Sequence, residues 1–265
     1  MTRLVVVGAG RMGQALVGGL LRSGWIEPSE LAVAEKSGET RAEVERRYLG
    51  VSVSERPVRA DSAVLAVKPA DAEEAARSVS EVGVRRVVSI VAGLPIAELE
   101  KWLGEGVAAL RAMPNMPAVV GAGASGLSGG ASAKEEDFAW AEAVLSSVGV
   151  VARVPERLLD AVTGLSGSGP AYVLVLVEAM IEAGVGLGLD REVSSLLSVQ
   201  TLLGSARLLV ETGQPPEDIR SRVTSPGGTT AAGIRELERQ GFRSSVIEAV
   251  EAAAARSREI GNSVS

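Results

Sequence analysis

Arg3-Leu4-Val5-Val6-Val7-Gly8-Ala9-Gly10-Arg11-Met12-Gly13 decides the reading of the first half of the chain. Residues 3–7 read as a buried strand, Arg3 leading into the apolar run Leu-Val-Val-Val. The glycines then open a helical pattern that continues to about Ser23. In such a strand–turn–helix each glycine has its own task. Gly8 permits the tight turn, Gly10 lets a pyrophosphate approach the backbone, and Gly13 lets helix and strand pack closely. The helix start presents free N–H groups to phosphate. The pattern predicts a dinucleotide site built from Gly8, Ala9, Gly10, Arg11, Met12 and Gly13. A tight turn without a ligand is the competing explanation.

Working outward, Leu31–Ala34, Ala63–Val67, Val87–Ile90 and residues 107–112 and 150–154 read as strands. Helical patterns at 40–48, 71–80, 95–103 and 134–147 fall between them. This alternation predicts an α/β domain, a doubly wound, mostly parallel Rossmann sheet with helices on both faces. Beyond about residue 155, Ala, Leu, Glu and Arg dominate and β-alternation ends. Helices are predicted at 156–163, 170–186, 190–211, 216–222, 230–240 and 242–259. The expected organisation is a dinucleotide-binding domain over 1–155 and an all-α domain over 156–265. No Pro- or Ser-rich linker marks the boundary, which is set at Pro155.

Composition removes whole chemistries. The 265 residues contain neither Cys nor His. Thiol nucleophiles, Cys-zinc sites, Cys-ligated clusters, Ser-His-Asp triads and imidazole acids are excluded, and no metal site is expected. Lysine occurs only at 36, 68, 101 and 134, so the helical half has no lysine acid. The net charge of −6 argues against a nucleic-acid partner. No apolar run approaches the ~18–20 residues of a membrane span, and the start lacks a signal-peptide layout. The expectation is a cytoplasmic protein with no membrane partner.

Ligands of doubly wound sheets sit at the carboxyl ends of the strands. Glu35 ends the second predicted strand, where an acid holds the ribose hydroxyls of NAD; Lys36 and Ser37 beside it suit a 2′-phosphate instead, so NAD and NADP both remain open. Val67-Lys68-Pro69, Ala92-Gly93 and Arg111–Pro117, the last containing Met113 and Asn115, follow further strands. They are the candidate wall of a nicotinamide-ribose site.

The helical half carries two further motifs. Thr163-Gly164-Leu165-Ser166-Gly167-Ser168-Gly169-Pro170-Ala171-Tyr172 precedes an apolar helix, and its small residues also suit a close helix–helix contact. Ser225-Pro226-Gly227-Gly228-Thr229-Thr230 leads into another helix, offering backbone N–H groups and hydroxyls. It reads as an anion nest reinforced by the helix dipole, or as a plain helix cap. Neither Thr229 nor Thr230 has an acid three residues on, so no capping box claims its hydroxyl.

The Gly8–Gly13 loop, Ala66–Pro69, Arg111–Pro117, Asp160–Tyr172, Val223–Thr230 and Gly241-Phe242-Arg243 together resemble the 1-pyrroline-5-carboxylate reductases, which complete proline synthesis. The resemblance spans nearly the whole chain. It implies a Rossmann domain followed by a helical dimerisation domain, interlocked homodimers often gathered as a decamer, and active sites near the dimer interface. It implies NADPH or NADH as hydride donor, held at Gly8–Gly13, the second-strand end, Val67-Lys68 and Ala92. It places Glu156 and Ser225–Thr230 at the proline end. The Thr230 hydroxyl is then expected to orient the ring nitrogen. Many members carry Ser or Thr where this chain has Glu35. A β-hydroxyacid-dehydrogenase-like enzyme is the nearest alternative, but it requires a lysine in the helical half. A non-catalytic NAD(P)-binding regulator is the other, but it would not need a second anion site.

Overall fold

The computed structural model describes residues 1–264 and divides into two compact units. One is Met1–Ser168 with the chain from Glu251 onward; the other is Gly169–Val250.

The first unit runs β1 (Leu4–Val7), α1 (Arg11–Arg22), β2 (Leu31–Ala34), α2 (Gly38–Arg47), β3 (Ser52–Ser54), β4 (Ser62–Leu65), α3 (Ala72–Glu81), β5 (Arg86–Ser89), α4 (Ile96–Leu103), β6 (Ala108–Met113), β7 (Gly123–Gly129), α5 (Glu135–Ser146), β8 (Gly149–Arg153) and α6 (Leu159–Val162). The strands form one sheet ordered β3-β2-β1-β4-β5-β6-β7-β8. The first six are parallel, β1 pairing with β2 on one side and β4 on the other. β7 runs antiparallel to β6, and β8 parallel to β7. The chain therefore reverses its direction of winding at β1, where doubly wound sheets leave a crevice.

Period-two alternation explains why β1 is buried throughout. Leu4 and Val6 join a core with Leu16 of α1, Val44 of α2 and Trp140 of α5. Val5 and Val7 face the opposite core, with Ala76 and Val79 of α3 and Leu99 of α4. Each fully buried Leu or Val contributes on the order of 1.5–3 kcal/mol.

Two strands escape the sequence pattern. β3 is a three-residue edge strand, and β7 reads Gly-Ala-Ser-Gly-Leu-Ser-Gly, with no β-branched residue. In β7 smallness is what packing demands. A Cβ on Gly126 would lie 2.9 Å from Val162 Cγ1 of α6, and one on Gly129 would lie 2.5 Å from Phe138 Cζ of α5. After α6 the backbone stays helical through a π turn over Thr163–Gly167, with the Ser168 N–H donating to Thr163 O at 2.8 Å. The glycines there do not break the helix; they widen it by one residue per turn.

The second unit contains α7 (Gly169–Gly186), α8 (Arg191–Thr212), α9 (Pro216–Arg222), α10 (Thr229–Arg239) and the start of α11 (Phe242–Val264). A Cβ on Gly184 would lie 2.6 Å from Ser194 Oγ, so α7 and α8 meet through small residues. The Tyr172 hydroxyl donates to Ala249 O at 3.3 Å, tying α7 to α11. Leu174, Val175, Leu196 and Leu197 stay more than half exposed. Although no uninterrupted run is long enough, the helical stretches Glu156–Gly186 and Arg191–Thr212 reach membrane-spanning length and hydropathy by composition alone.

Candidate active site

The turn after β1 is shaped by two steric facts. Gly8 has φ +94°, and a Cβ there would lie 2.6 Å from Ala66 O. A Cβ on Gly13 would collide with the Gly8 carbonyl. Gly10 differs: it N-caps α1 at φ −66° with open space where its side chain would be. Gly8 and Gly13 are thus required by the fold, whereas the bare surface at Gly10 leaves room for a ligand. Its lack of a side chain leaves the first-turn N–H groups of α1 without a cap from that residue. A cradle that a Cβ would fill, beside those donors, fits a pyrophosphate.

This turn opens on a cleft of about 890 Å3 at the carboxyl ends of the strands. The cleft brings together Gly8, Gly10, Glu35, Lys36, Val67 and Lys68 of the expected cofactor residues. Ala9, Arg11, Met12 and Gly13 lie in the same turn and helix start. Pro69 begins a short 3-10 turn after β4. Ala92 and Gly93 follow β5, and Gly93 (φ +74°) sits under the end of α11, a Cβ there reaching to 3.3 Å from Ile260 Cγ2. The cleft also takes in Thr40, Glu55, Arg56, Asp71 and Glu74, which the sequence reading missed. Recognising β3 would have placed Glu55 and Arg56 at a strand end.

The charged groups at the end of β2 are already engaged. Glu35 Oε2 accepts the Ala9 N–H at 2.8 Å and Oε1 accepts the Ser37 N–H at 2.9 Å. Arg41 donates to the carbonyls of Glu35 and Lys36 at 2.7 and 2.8 Å. Lys36 lines the cleft and is engaged there by two carboxylates. Its ammonium donates to Glu74 at 2.7 Å and to Asp71 at 3.1 Å, and hydrogen bonds to Glu74 and then Asp71 raise its pKa above the ordinary lysine value.

Three more expected residues make contacts within the fold. Asn115 is buried and ties two segments together. Its Nδ2 donates to Ser166 O at 2.9 Å in the π turn, and its Oδ1 accepts the Ala124 N–H of β7 at 2.8 Å. Met113 ends β6, and a Cβ on Gly167 would stand 3.0 Å from its Cε. Glu156 Oε1 accepts the Ile96 N–H at 2.7 Å, capping α4, and pairs with Arg111 at 3.1 Å. Its second oxygen accepts nothing among the described residues, and the side chain is 35% exposed.

In the second unit, Ser225–Gly228 folds as a turn. Pro226 occupies its second position, Gly227 takes φ +74° in the third, and the Gly228 N–H donates to Ser225 O at 3.0 Å. This is the signature of a type II turn. Gly228 then N-caps α10 and has no side chain to cap it. The N–H groups of Thr229, Thr230 and Ala231 follow, and the hydroxyls of Thr229 and Thr230 have no partner among the described residues. The plain-cap explanation for these hydroxyls therefore does not hold in this structure. An uncapped N-terminus with hydroxyls beside it favours an anion.

Fold and cleft define a two-part architecture: a doubly wound α/β unit with a cleft at its glycine turn, and a helical unit with an uncapped turn at the start of α10. Comparisons with known proteins give the family. Residues 156–260 match the family model described as pyrroline-5-carboxylate reductase dimerisation, and residues 3–93 match NADP oxidoreductase coenzyme F420-dependent. The pyrroline-5-carboxylate reductase of Synechocystis sp. is 42% identical over 98% of this chain and 98% of its own. That of Arabidopsis thaliana is 40% identical over 97% of this chain and 95% of its own. The solved pyrroline-5-carboxylate reductase of Coxiella burnetii superposes with a TM-score of 0.92 at 35% identity, covering 98% of each chain. The Plasmodium falciparum structure, with NADP bound, gives 0.83 at 30% identity, covering 98% of each. The chain belongs to the pyrroline-5-carboxylate reductase family.

Proposed function

We propose that the protein reduces 1-pyrroline-5-carboxylate to L-proline, the last step of proline biosynthesis, with NADPH or NADH. The observation that carries this reading is the pairing, in one chain of this family, of the Gly8–Gly13 cradle with the uncapped Ser225–Thr230 turn. A dinucleotide site alone would serve many enzymes; the second anion site selects a small carboxylate substrate.

The cofactor, when bound, supplies the hydride that adds to the imine carbon. The residues of this chain do the rest. Gly8–Gly13 and the α1 N-terminus hold the pyrophosphate, Glu35 stands at the ribose end, and Val67, Lys68, Pro69 and the Ala92-Gly93 turn flank the cofactor's other half. The N–H groups at Gly228–Thr230 hold the substrate carboxylate by charge-assisted bonds. The Ser225 and Thr229 hydroxyls border it, and the Thr230 hydroxyl orients the ring nitrogen. The free oxygen of Glu156 attracts the ring when it is positively charged. The chain has no His or Cys, and an imine that binds already protonated needs no strong acid from the protein. Catalysis is then mainly positioning.

The family's dimerisation model covers α7 and α8, and the protein is a homo-oligomer. Their exposed apolar faces need burial, and a second copy, rather than a membrane or a nucleic acid, covers them. The dimer is the unit, with a decamer as its further assembly, in the cytoplasm. The test is an absorbance assay. NAD(P)H must be consumed when pyrroline-5-carboxylate is added to folded, cofactor-binding protein; no consumption overturns the assignment. Light scattering at micromolar concentration must give a dimer or a multiple of it.

A further inference from the structure

The cleft at the β2 end holds both an acid suited to a ribose diol and a lysine suited to a phosphate, and the structure separates their availability. Glu35 is fixed by the Ala9 and Ser37 N–H groups. Those bonds orient the carboxylate without using its full capacity, because a carboxylate has about four lone-pair sites. Lys36 is also fixed, but by Asp71 and Glu74, which begin the segment after β4. A lysine between two carboxylates has a donor left, yet its charge is more than balanced. A phosphate approaching it meets two anions as well.

We propose that Asp71 and Glu74 are specificity-determining residues. By holding Lys36 they leave Glu35 as the effective charge at the ribose end, so the site selects the free 2′,3′-diol of NAD(H) against the 2′-phosphate of NADP(H). This deepens the cofactor reading above and rests on it. Arg56 and Lys68 are the competing cations. Both line the same cleft and make no ion pair among the described residues, but Glu55 precedes Arg56, and Lys68 follows β4, which pairs with β1 and not with β2.

Isothermal titration of the intact, unliganded protein with NAD+ and with NADP+ tests the proposal by affinity, without turnover. Wild type binds NAD+ at least about tenfold more tightly, equivalent to ~1.4 kcal/mol. The D71N/E74Q double variant removes both negative charges beside Lys36 and moves the NADP+/NAD+ ratio toward NADP+ by about three- to tenfold, the range expected for one newly available charge-assisted contact at a screened surface. Adding K36Q to that variant cancels the gain, whereas K36Q in wild type moves the ratio by less than about twofold; this is a double-mutant cycle on a preference. A melting temperature for each variant checks that it folds. If wild type prefers NADP+ and K36Q or R56Q removes that preference, the proposal is overturned. An unchanged ratio in D71N/E74Q overturns it too. If neither NAD+ nor NADP+ binds wild type, it is the dinucleotide reading of the cleft that fails.

Discussion

Glu35 Oε2 accepts the N–H of Ala9 at 2.8 Å, so the end of β2 and the turn after β1 behave as one hydrogen-bonded piece. The acceptor comes from the residue expected to meet the ribose, and the donor lies between the first two glycines of the cradle. Ala9 itself is buried. Glu35 is therefore both a candidate ligand and a structural brace. The Glu35→Ala variant strands the Ala9 N–H and releases the Ser37 N–H. We expect it to lose about 1–3 kcal/mol of stability, read by urea denaturation without cofactor. Glu35→Gln should recover most of that loss, because an amide oxygen still accepts.

Gly10 and Gly13 should separate folding from binding. Gly13→Ala drives its Cβ into the Gly8 carbonyl. Overpacking of this kind costs about 1–3 kcal/mol, so its melting temperature should fall. Gly10→Ala meets open space at an ordinary φ and should melt within a few degrees of wild type, a shift of roughly 1 kcal/mol or less. Its affinity for NAD+ should nonetheless fall, because the methyl stands where a pyrophosphate must approach. Equal cofactor affinity in Gly10→Ala would show that the ligand does not touch this turn.

Thr230→Ala should lower kcat/KM by roughly 10–150-fold, the loss of one hydrogen bond to a charged group worth about 1.5–3 kcal/mol. Cofactor affinity should barely move, since the Gly8–Gly13 turn lies in the other unit. Thr230→Ser should keep most activity. Steady-state kinetics on the three proteins would check this. A loss beyond about a thousandfold, or ~4 kcal/mol, would make the hydroxyl a proton donor rather than an orienting group.

Glu156 ties α4 and Arg111 to the start of the helical segment. Glu156→Ala should destabilise by about 1–3 kcal/mol, since it leaves the Ile96 N–H and a mostly buried guanidinium without their acceptor. Glu156→Gln should restore much of the stability but not the negative charge. If Glu156 attracts the charged ring, Glu156→Gln should raise KM for pyrroline-5-carboxylate while the melting temperature stays near wild type.

Arg153 donates to Glu135 at 2.7 Å and to Glu142, over the face of Phe138. Its hydrogen bonds hold both carboxyls below their ordinary pKa. A lowered carboxyl pKa in the folded state contributes stability above the unfolded carboxylate pKa of about 4.3, and that contribution is lost as pH falls. The melting-temperature gap between wild type and Arg153→Gln should therefore be open at pH 7, shrink in high salt and narrow progressively as the pH falls below the unfolded carboxylate pKa. A gap that persists in acid would assign the stabilisation to the arginine–phenylalanine stack.

The sequence by itself determined the elements whose residues carry a local signal. The β-branched run of β1, the spacing of Gly8, Gly10 and Gly13, and the Pro226-Gly227 turn dictate backbone geometry with neighbours only a few residues away. The absence of His and Cys likewise removed acid chemistries before any contact was known. Tertiary structure alone decided what depends on partners distant in the chain. β7 is a strand because α5 and α6 demand small residues against it, and its glycines had concealed it. Lys36 meets Asp71 and Glu74 only because β2 and β4 flank β1, which brings residues 35–38 positions apart to one sheet edge. Asn115 became a tie for the same reason: Ser166, 51 residues away, arrives beside it when the π turn packs on the sheet. Local spacing fixes what a residue can do, and the fold decides whether its charge or its hydrogen bonds are already taken.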